Sequence, residues 1–456
     1  MVRVLVPSGA LGLGHDPDAL DAGIAARPDI IAIDGGSTDS GPHYLGTGRS
    51  KYARATTARE WGALMAARAR AGVPLVIGSA ETCGTDRAVD RLVEITREIA
   101  AERGEALRIA VLRCTQDPDD LVRALAAGRI HPLDPAPGIS AERLRQCSNI
   151  VALAGAEQIQ AALATGAQIV IAGRTTDTAI ISALPLLRGC DPGAAWHGAK
   201  IGECGALCTT RPDSGVIMLT FERNGFTVTP MARDAAATPF SVSAHMLYEN
   251  ADPFILHEPG GHLDVSAARY EALDERRVRA SGAIWVPAQR YTVKLEGARP
   301  TGFRVASLVL IRAPRHVAAA AAWCRDIERR ARADVCARLG LARDSFDIEL
   351  RRIGQDATLG ALERRRGDPV ELGVLAIVSA RDAAAAGEIA RLLNPYLLHH
   401  PLPADEAQPS LAFAFSPPEM ALGPAHEFCL NHVLELEQPM QAFRLEVIEV
   451  GHGQAG

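Results

Sequence analysis

Asp34 and Asp39 share one loop, in the stretch IAIDGGSTDSGPHYLGTGRSKY, where a short apolar run gives way to glycine, serine, threonine and aspartate. Carboxylates grouped in one cleft raise each other's proton affinity, which can ready one of them to give or take a proton near neutrality. Three other segments share this composition: PSGALGLGHD, GSAETCGTD and GRTTD. Glycine lets backbone N–H groups approach a ligand, and Ser, Thr and helix N-termini add donors suited to an anion. Ser8, Gly9, Gly35, Gly36, Ser37, Thr38, Ser79, Arg174 and Thr175 are the expected holders of an anionic group. Glu81, Asp86 and Asp177 are further acids on these loops, although Asp86 and Asp177 each precede a helical stripe and are equally suited to capping.

Lysine is a second signal. Of 48 basic residues only Lys51, Lys200 and Lys294 are lysine, each in a Gly-bearing stretch: GTGRSKY, WHGAKIGECGALC and YTVKLEGAR. Arginine cannot stand in where the group must deprotonate or act as a compact point charge. On a strand, Lys294 and Glu296 point to one face, as a plain ion pair or as an acid/base couple. LYENADPFILHEPGGHLDVS gathers His257, Glu258, His262 and Asp264, residue types that hold metals, but Pro-Gly-Gly keeps them off one helix face. The divalent-metal reading on His257, His262 and Asp264 stays beside that of a polar Gly-rich turn. Cys204 and Cys208 are a close pair with no second pair to complete a zinc site.

Some chemistries are excluded. There is no G-x-x-x-x-G-K-[ST] phosphate loop and no G-x-S-x-G elbow. GALGLG has the wrong glycine spacing for a dinucleotide fingerprint, although Asp34 at the end of the second strand keeps a nucleotide alternative open.

The elements that must position these residues are legible as a repeat. VRVLVPSG, DIIAIDGG, VPLVIGSA, LRIAVLRC, NIVALAG and QIVIAGR are short, continuous apolar runs, as expected of strands buried on both faces. Helical patterns separate them, as in DRAVDRLVEITREIAAERG with Val89, Leu92, Val93 and Ile99 on one stripe and Asp86 placed to cap it. The spacing predicts an α/β fold: an N-terminal parallel sheet flanked by helices over residues 1–205, and a C-terminal α+β region over 206–456 that closes over the site. IWVPAQRYTVKLEGA reads as one strand and HHPLPADEAQPS as a loop. In an open parallel sheet, ligands bind beyond the carboxyl ends of the strands, where all four Gly-rich loops belong.

A 456-residue chain with 48% hydrophobic and 22% charged residues is globular, and a net charge of −6 without basic runs argues against nucleic acid as a partner. No run reaches the roughly 18 apolar residues of a membrane span. Nine scattered cysteines, and an N-terminus that enters a strand pattern directly, predict a cytoplasmic, reduced protein without membrane association.

VLVPSGALGLGHD, IAIDGGSTDSGPHYLGTGRSKYARA, GSAETCGTD, VIAGRTTDTA, WHGAKIGECGALC, LYENADPFILHEPGGHLDVS, YTVKLEGAR and FCLNHV together resemble the acyclic terpene utilisation AtuA family over nearly the whole chain. Glu81 departs from that pattern, which favours a small residue there. The resemblance implies catabolism of acyclic terpenes through branched acyl-CoA intermediates. It also implies a small companion subunit with a ferredoxin-like fold, which this chain is expected to lack. The combined expectation is a hydratase, dehydratase or isomerase acting on a small carboxylic acid or acyl-CoA. Proton transfer falls to Asp39 or Lys294, with Asp34 and Glu296 as orienting partners; Asp177, Lys51 and Lys200 join the binding set. No cofactor is expected beyond CoA as part of the substrate, and the chain is expected to form a homo-oligomer. The alternatives are a non-catalytic ligand-binding subunit and a metal-dependent hydro-lyase.

Overall fold

The computed structural model describes residues 1–365, 367, 369–402 and 411–451. The strands Val2–Val6 (β1), Ile30–Asp34 (β2), Leu75–Gly78 (β3), Leu107–Arg113 (β4), Asn149–Ala152 (β6) and Ile169–Ala172 (β7) follow the six predicted runs, and the short strand Ile130–Pro132 (β5), which no run announces, falls between β4 and β6. Five of them lie parallel in the order β1–β2–β3–β7–β4. Alternate side chains serve opposite faces. Val4, Val6, Ile30, Ala32, Val76 and Val170 enter one core with the helix Ala179–Leu187. Leu5, Ile31, Ile33, Leu75, Ile77 and Ile169 enter the other with the helices Arg54–Ala71 and Asp86–Arg103. Complete burial of each Val, Leu or Ile contributes about 1.5–3 kcal/mol relative to exposure, so both faces hold the strand ends, and the loops after them, in fixed register.

The parallel sheet is only part of a larger mixed one. Ile217–Glu222 (β8) lies antiparallel beside β1, and Gly225–Pro230 (β9) beside β8. Arg444–Val450 pairs antiparallel with β4 at the far edge. NIVALAG does not join the parallel series as expected. Instead β6 pairs antiparallel with Leu295–Ala298. A continuous apolar run shows that a strand is buried but not which sheet it enters.

The chain divides into two compact units, Met1–Arg299 with Phe428–Gly456, and Pro300–Glu427. The expected boundary after residue 205 coincides with neither limit, because β8 and β9 extend the N-terminal sheet rather than starting a new one. The second unit is built on the antiparallel strands Phe303–Ile311, Leu372–Ala380 and Phe346–Ile353, with the helices Pro314–Leu339 and Ala383–His399 packed on them. IWVPAQRYTVKLEGA is interrupted, as Ile284–Pro287 and Tyr291–Ile311. Of the predicted loop HHPLPADEAQPS, His399 closes the last of these helices, and residues 403–410 lie outside the described residues. Among the described residues no helix is long and apolar enough to cross a membrane.

Candidate active site

The four Gly-rich loops meet at the carboxyl edge of β1, β2, β3 and β7. Leu11 N–H donates to the Asp34 carbonyl at 2.8 Å, Gly35 N–H to the Gly78 carbonyl at 2.7 Å, and Ser79 N–H to the Gly173 carbonyl at 2.7 Å. Such close approach demands glycine. A Cβ on Gly35 would lie 2.4 Å from the Ser79 carbonyl oxygen, and one on Gly84 would lie 2.2 Å from the Arg174 nitrogen. In the third loop Ser79, Glu81 and Thr82 have φ of 48°, 55° and 81°. Left-handed backbone at non-glycine positions costs about 1–3 kcal/mol each and persists where its surroundings enforce it.

A cleft of about 580 Å³ opens at this edge. Ser8, Gly9, Asp34, Gly36, Ser37, Asp39, Lys51 and Asp177 line it, all of them expected from the sequence. Tyr52, Cys204, Tyr248 and Glu249 line it as well and were not among the expected site residues, although GTGRSKY, WHGAKIGECGALC and LYENADPFILHEPGGHLDVS contain them; the folding of later segments carries three of them there. Gly35, Arg174, Thr175, Ser79, Thr38, Lys200, Lys294 and Glu296 are not among the lining residues.

Arg174 instead forms a hub behind the wall. Its Nε and Nη2 donate to both oxygens of Glu296 at 3.1 and 3.4 Å, and its Nη1 donates to Ser79 Oγ at 2.9 Å. Nη1 also reaches the Thr175 carbonyl at 3.2 Å and Asp177 Oδ1 at 3.4 Å. Thr38 Oγ1 donates to Glu296 at 3.2 Å, and the partly exposed Lys294 ammonium lies 3.4 Å from the same carboxylate. Lys294 and Glu296 do share a face, as strand geometry requires. Burial acts to raise the Glu296 carboxyl, but Arg174 and Lys294 outweigh it and hold it below its ordinary range. With its bonds engaged within the protein, Arg174 is a positioning residue for Asp177.

Asp34 and Asp177 are the perturbed pair in the cleft. Burial and the neighbouring Asp177 push Asp34 well above the ordinary aspartate range, against the pull of Arg174 and the Gly36 and Gly35 amides. Asp34 Oδ2 accepts from Gly36 N–H at 3.0 Å, while its buried Oδ1 makes no hydrogen bond. Burial likewise raises Asp177, with Asp39 and Glu296 adding to the effect and Arg174 opposing it. Asp39 is exposed and accepts from Ser37 Oγ at 2.5 Å. Asp177 is not the helix cap it resembled; its side chain faces Arg174. Nor does Asp86 cap its helix, where Thr85 Oγ1 accepts from Ala88 N–H at 3.3 Å.

The amides of GALGLG are not free for an anion. Glu60, from the helix Arg54–Ala71, accepts from Gly12 N–H at 2.7 Å and Gly14 N–H at 3.2 Å. Glu81 is buried against Arg91 at 3.4 Å, outside the lining. Behind the lining, buried Lys200 donates to Glu203 at 2.5 Å and to the Tyr248 carbonyl at 2.8 Å. Glu203, Cys204 and His245 bring one ligating atom each within 4.8 Å of one another. The metal candidates His257, His262 and Asp264 form no such group among the described residues. They lie on a hairpin where His257 pairs across from His262 and Asp264 accepts from Ser266 N–H. Beside them Glu258 accepts from Thr178 Oγ1 at 2.5 Å, and burial lifts its pKa to about 7.

The lining is acidic: Asp34, Asp39, Asp177, Asp213 and Glu249 face a single lysine, Lys51. Raised proton affinity at Asp34 and Asp177 removes part of that charge, but the cleft is better matched to a neutral or polarised group than to a second carboxylate.

Compared with known families, the chain matches the family model described as acyclic terpene utilisation family protein AtuA over residues 51–188 and 216–412. No curated protein and no solved structure matches it.

Proposed function

From the acyclic terpene utilisation AtuA family, to which the chain belongs, and from the cleft above, we propose that the protein is a hydro-lyase or isomerase acting on a branched acyl thioester during acyclic terpene catabolism. The observation that carries this reading is the Asp34–Asp177 pair: a buried and a half-buried carboxyl lining one cleft, each raised chiefly by desolvation, one with an oxygen making no hydrogen bond. Such a pair holds a proton more tightly than an ordinary aspartate does, so one member serves as acid while the other serves as base. The acidic lining favours a thioester over a free acid, because a thioester presents a neutral carbonyl at the reacting end.

In hydration of an α,β-unsaturated acyl thioester, one carboxylate takes a proton from water as the water oxygen bonds to the β-carbon. The partner carboxylic acid delivers its proton to the α-carbon as the double bond is lost. The net change is addition of one water, and the reverse sequence is dehydration. Arg174, fixed by Glu296 and Ser79, holds Asp177 in place. The Gly36 amide holds Asp34. Asp39 and Lys51 lie at the exposed part of the lining, where Lys51 suits the phosphates of a CoA moiety.

Purified protein, with and without a small companion subunit, should be assayed against enoyl-CoA and β-hydroxyacyl-CoA thioesters and the corresponding free acids. Thioesters are expected to turn over in preference to acids, and Asp34→Asn or Asp177→Asn should lower kcat by about 10²–10⁴. Ligand binding without turnover of any thioester, whether or not the companion is present, would instead mark a binding subunit.

A further inference from the structure

Glu203 and Cys204, neighbours in the chain, meet His245 beside the cleft. Glu203 follows the helix Pro192–Gly202, Cys204 opens the short turn Gly205–Cys208, and His245 ends the helix Pro239–His245. One ligand atom from each lies within 4.8 Å of the others, and Cys204 itself lines the cleft. The surroundings hold this arrangement rigidly. Gly9 packs so closely that a Cβ there would lie 3.1 Å from Cys204 Cα, and a Cβ on Gly205 would lie 2.4 Å from the Gly215 carbonyl oxygen. The ring of Tyr248 stacks on His245 at 5.4 Å between centroids.

A second observation points to a ligand. His245 is 5% exposed, yet its Nε2 is buried and makes no hydrogen bond. A buried polar nitrogen left alone costs about 1–3 kcal/mol, whereas coordination of an ion would satisfy it. The charge around the sulfur has the same sense: Glu203, Asp177 and Glu249 all act on Cys204, with Lys200 the opposing cation. Lys200 takes one oxygen of Glu203 and leaves the other.

We propose that Glu203, Cys204 and His245 bind a divalent transition-metal ion of the zinc type, with the remaining coordination position open to the cleft. One sulfur, one nitrogen and one oxygen donor suit Zn²⁺ or Co²⁺ rather than Mg²⁺ or Ca²⁺, and three protein ligands with a vacant position are the pattern of catalytic rather than structural zinc. Binding forms a metal–sulfur bond as the Cys204 S–H bond breaks, and the proton leaves to solvent. The site does not depend on the acid–base assignment of Asp34 and Asp177, since its test reads metal and sulfur rather than turnover.

Full-length protein stripped with a chelator should be titrated with Co²⁺ and with Zn²⁺ under reducing conditions, following metal content, proton release and the sulfur-to-cobalt charge-transfer absorption. One equivalent per chain, a charge-transfer band and proton release are expected. Cys204→Ser should abolish the band and His245→Gln should weaken uptake, whereas Cys208→Ala and His257→Gln should change neither. Because Cys147 and Cys429 also lie together, with sulfurs 2.9 Å apart, Cys147→Ala is a required comparison and should leave the band intact. The proposal is overturned if wild-type protein takes up no equivalent of either metal, if the cobalt form shows no band, or if the band survives Cys204→Ser and disappears with Cys147→Ala. Should Cys204→Ser fail to fold, Cys147→Ala decides the matter: a band that persists in it supports the site at Cys204, and a band that disappears overturns the proposal.

Discussion

Asp34 ends a buried strand with one oxygen on the Gly36 amide and the other making no hydrogen bond, an expensive place for a charge. Its proton is held more tightly in the folded chain than in the unfolded one, so its contribution to stability is complete below its ordinary value of 3.8 and is lost as pH rises through the shifted pKa. Asn cannot ionise. Asp34→Asn should therefore melt above wild type at neutral pH, with an advantage that shrinks toward pH 4, while kcat falls by about 10²–10⁴; melting curves across pH beside kinetics check both halves. A variant less stable than wild type at pH 7 would mean the carboxylate is held charged and the pKa argument fails. The same linkage applies to Glu258, raised from 4.5 to about 7 by burial. Glu258→Gln should flatten the fall in stability that wild type shows between about pH 4.5 and 7. At this scale the sequence was informative where the residue sat in a Gly-rich loop, as Asp34, Asp39 and Asp177 do. It was silent for Tyr248 and Glu249, because in LYENADPFILHEPGGHLDVS the metal-type residues His257, Glu258, His262 and Asp264 are the stronger signal. Arg174 was found but its part was misread, since composition cannot show that a guanidinium is already surrounded by Glu296, Ser79 and Asp177.

The loops of the site are held by their helices and by each other as much as by their strands. Glu60 is the clearest instance, a helix carboxylate that clamps two amides of the first loop. Glu60→Ala would strand both amides and should cost about 1–3 kcal/mol in urea unfolding. It should also raise KM by releasing Ser8 and Gly9 from their fixed position; Glu60→Gln, which keeps an acceptor, should do less on both counts. Gly35→Ala tests the meeting of the second and third loops, because the added methyl would collide with the Ser79 carbonyl oxygen. It should destabilise by about 1–3 kcal/mol and lower kcat through Arg174, whose Nη1 depends on Ser79. Elements were the most legible level of this chain, because strands buried on both faces leave continuous apolar runs and their helices a periodic stripe. Pairing was not. NIVALAG and QIVIAGR look alike in sequence, yet one enters the parallel sheet and the other pairs antiparallel with Leu295–Ala298, since partner choice is a long-range property that no local run encodes.

At the scale of the whole chain, the first unit runs from Met1 to Arg299 and resumes at Phe428, so Pro300–Glu427 is an insertion into it rather than a C-terminal half. The sequence hid this because the change in periodicity after residue 205 marks where the sheet turns antiparallel, not where a unit ends. Within the first unit the points of departure and return are close: a Cβ on Gly297 would lie 2.6 Å from a methyl of Leu430, and Cys429 Sγ lies 3.4 Å from the Gly297 carbonyl oxygen. Ends this near can be joined by a short turn, and the second unit has its own apolar core around Trp323, Ile327, Val374 and Ile389. Replacing 300–427 by a few Gly and Ser residues should therefore leave a first unit that unfolds cooperatively. Every residue placed in the cleft, from Ser8 to Glu249, lies in that unit. A circular dichroism melt checks the fold, and metal titration and thioester turnover then divide the work: metal uptake is expected to survive, because Glu203, Cys204 and His245 remain. If the shortened chain melts cooperatively and binds metal but no longer turns over thioester, catalysis draws on the inserted unit. If it does not fold, the two units are one cooperative structure and the insertion is one of topology alone.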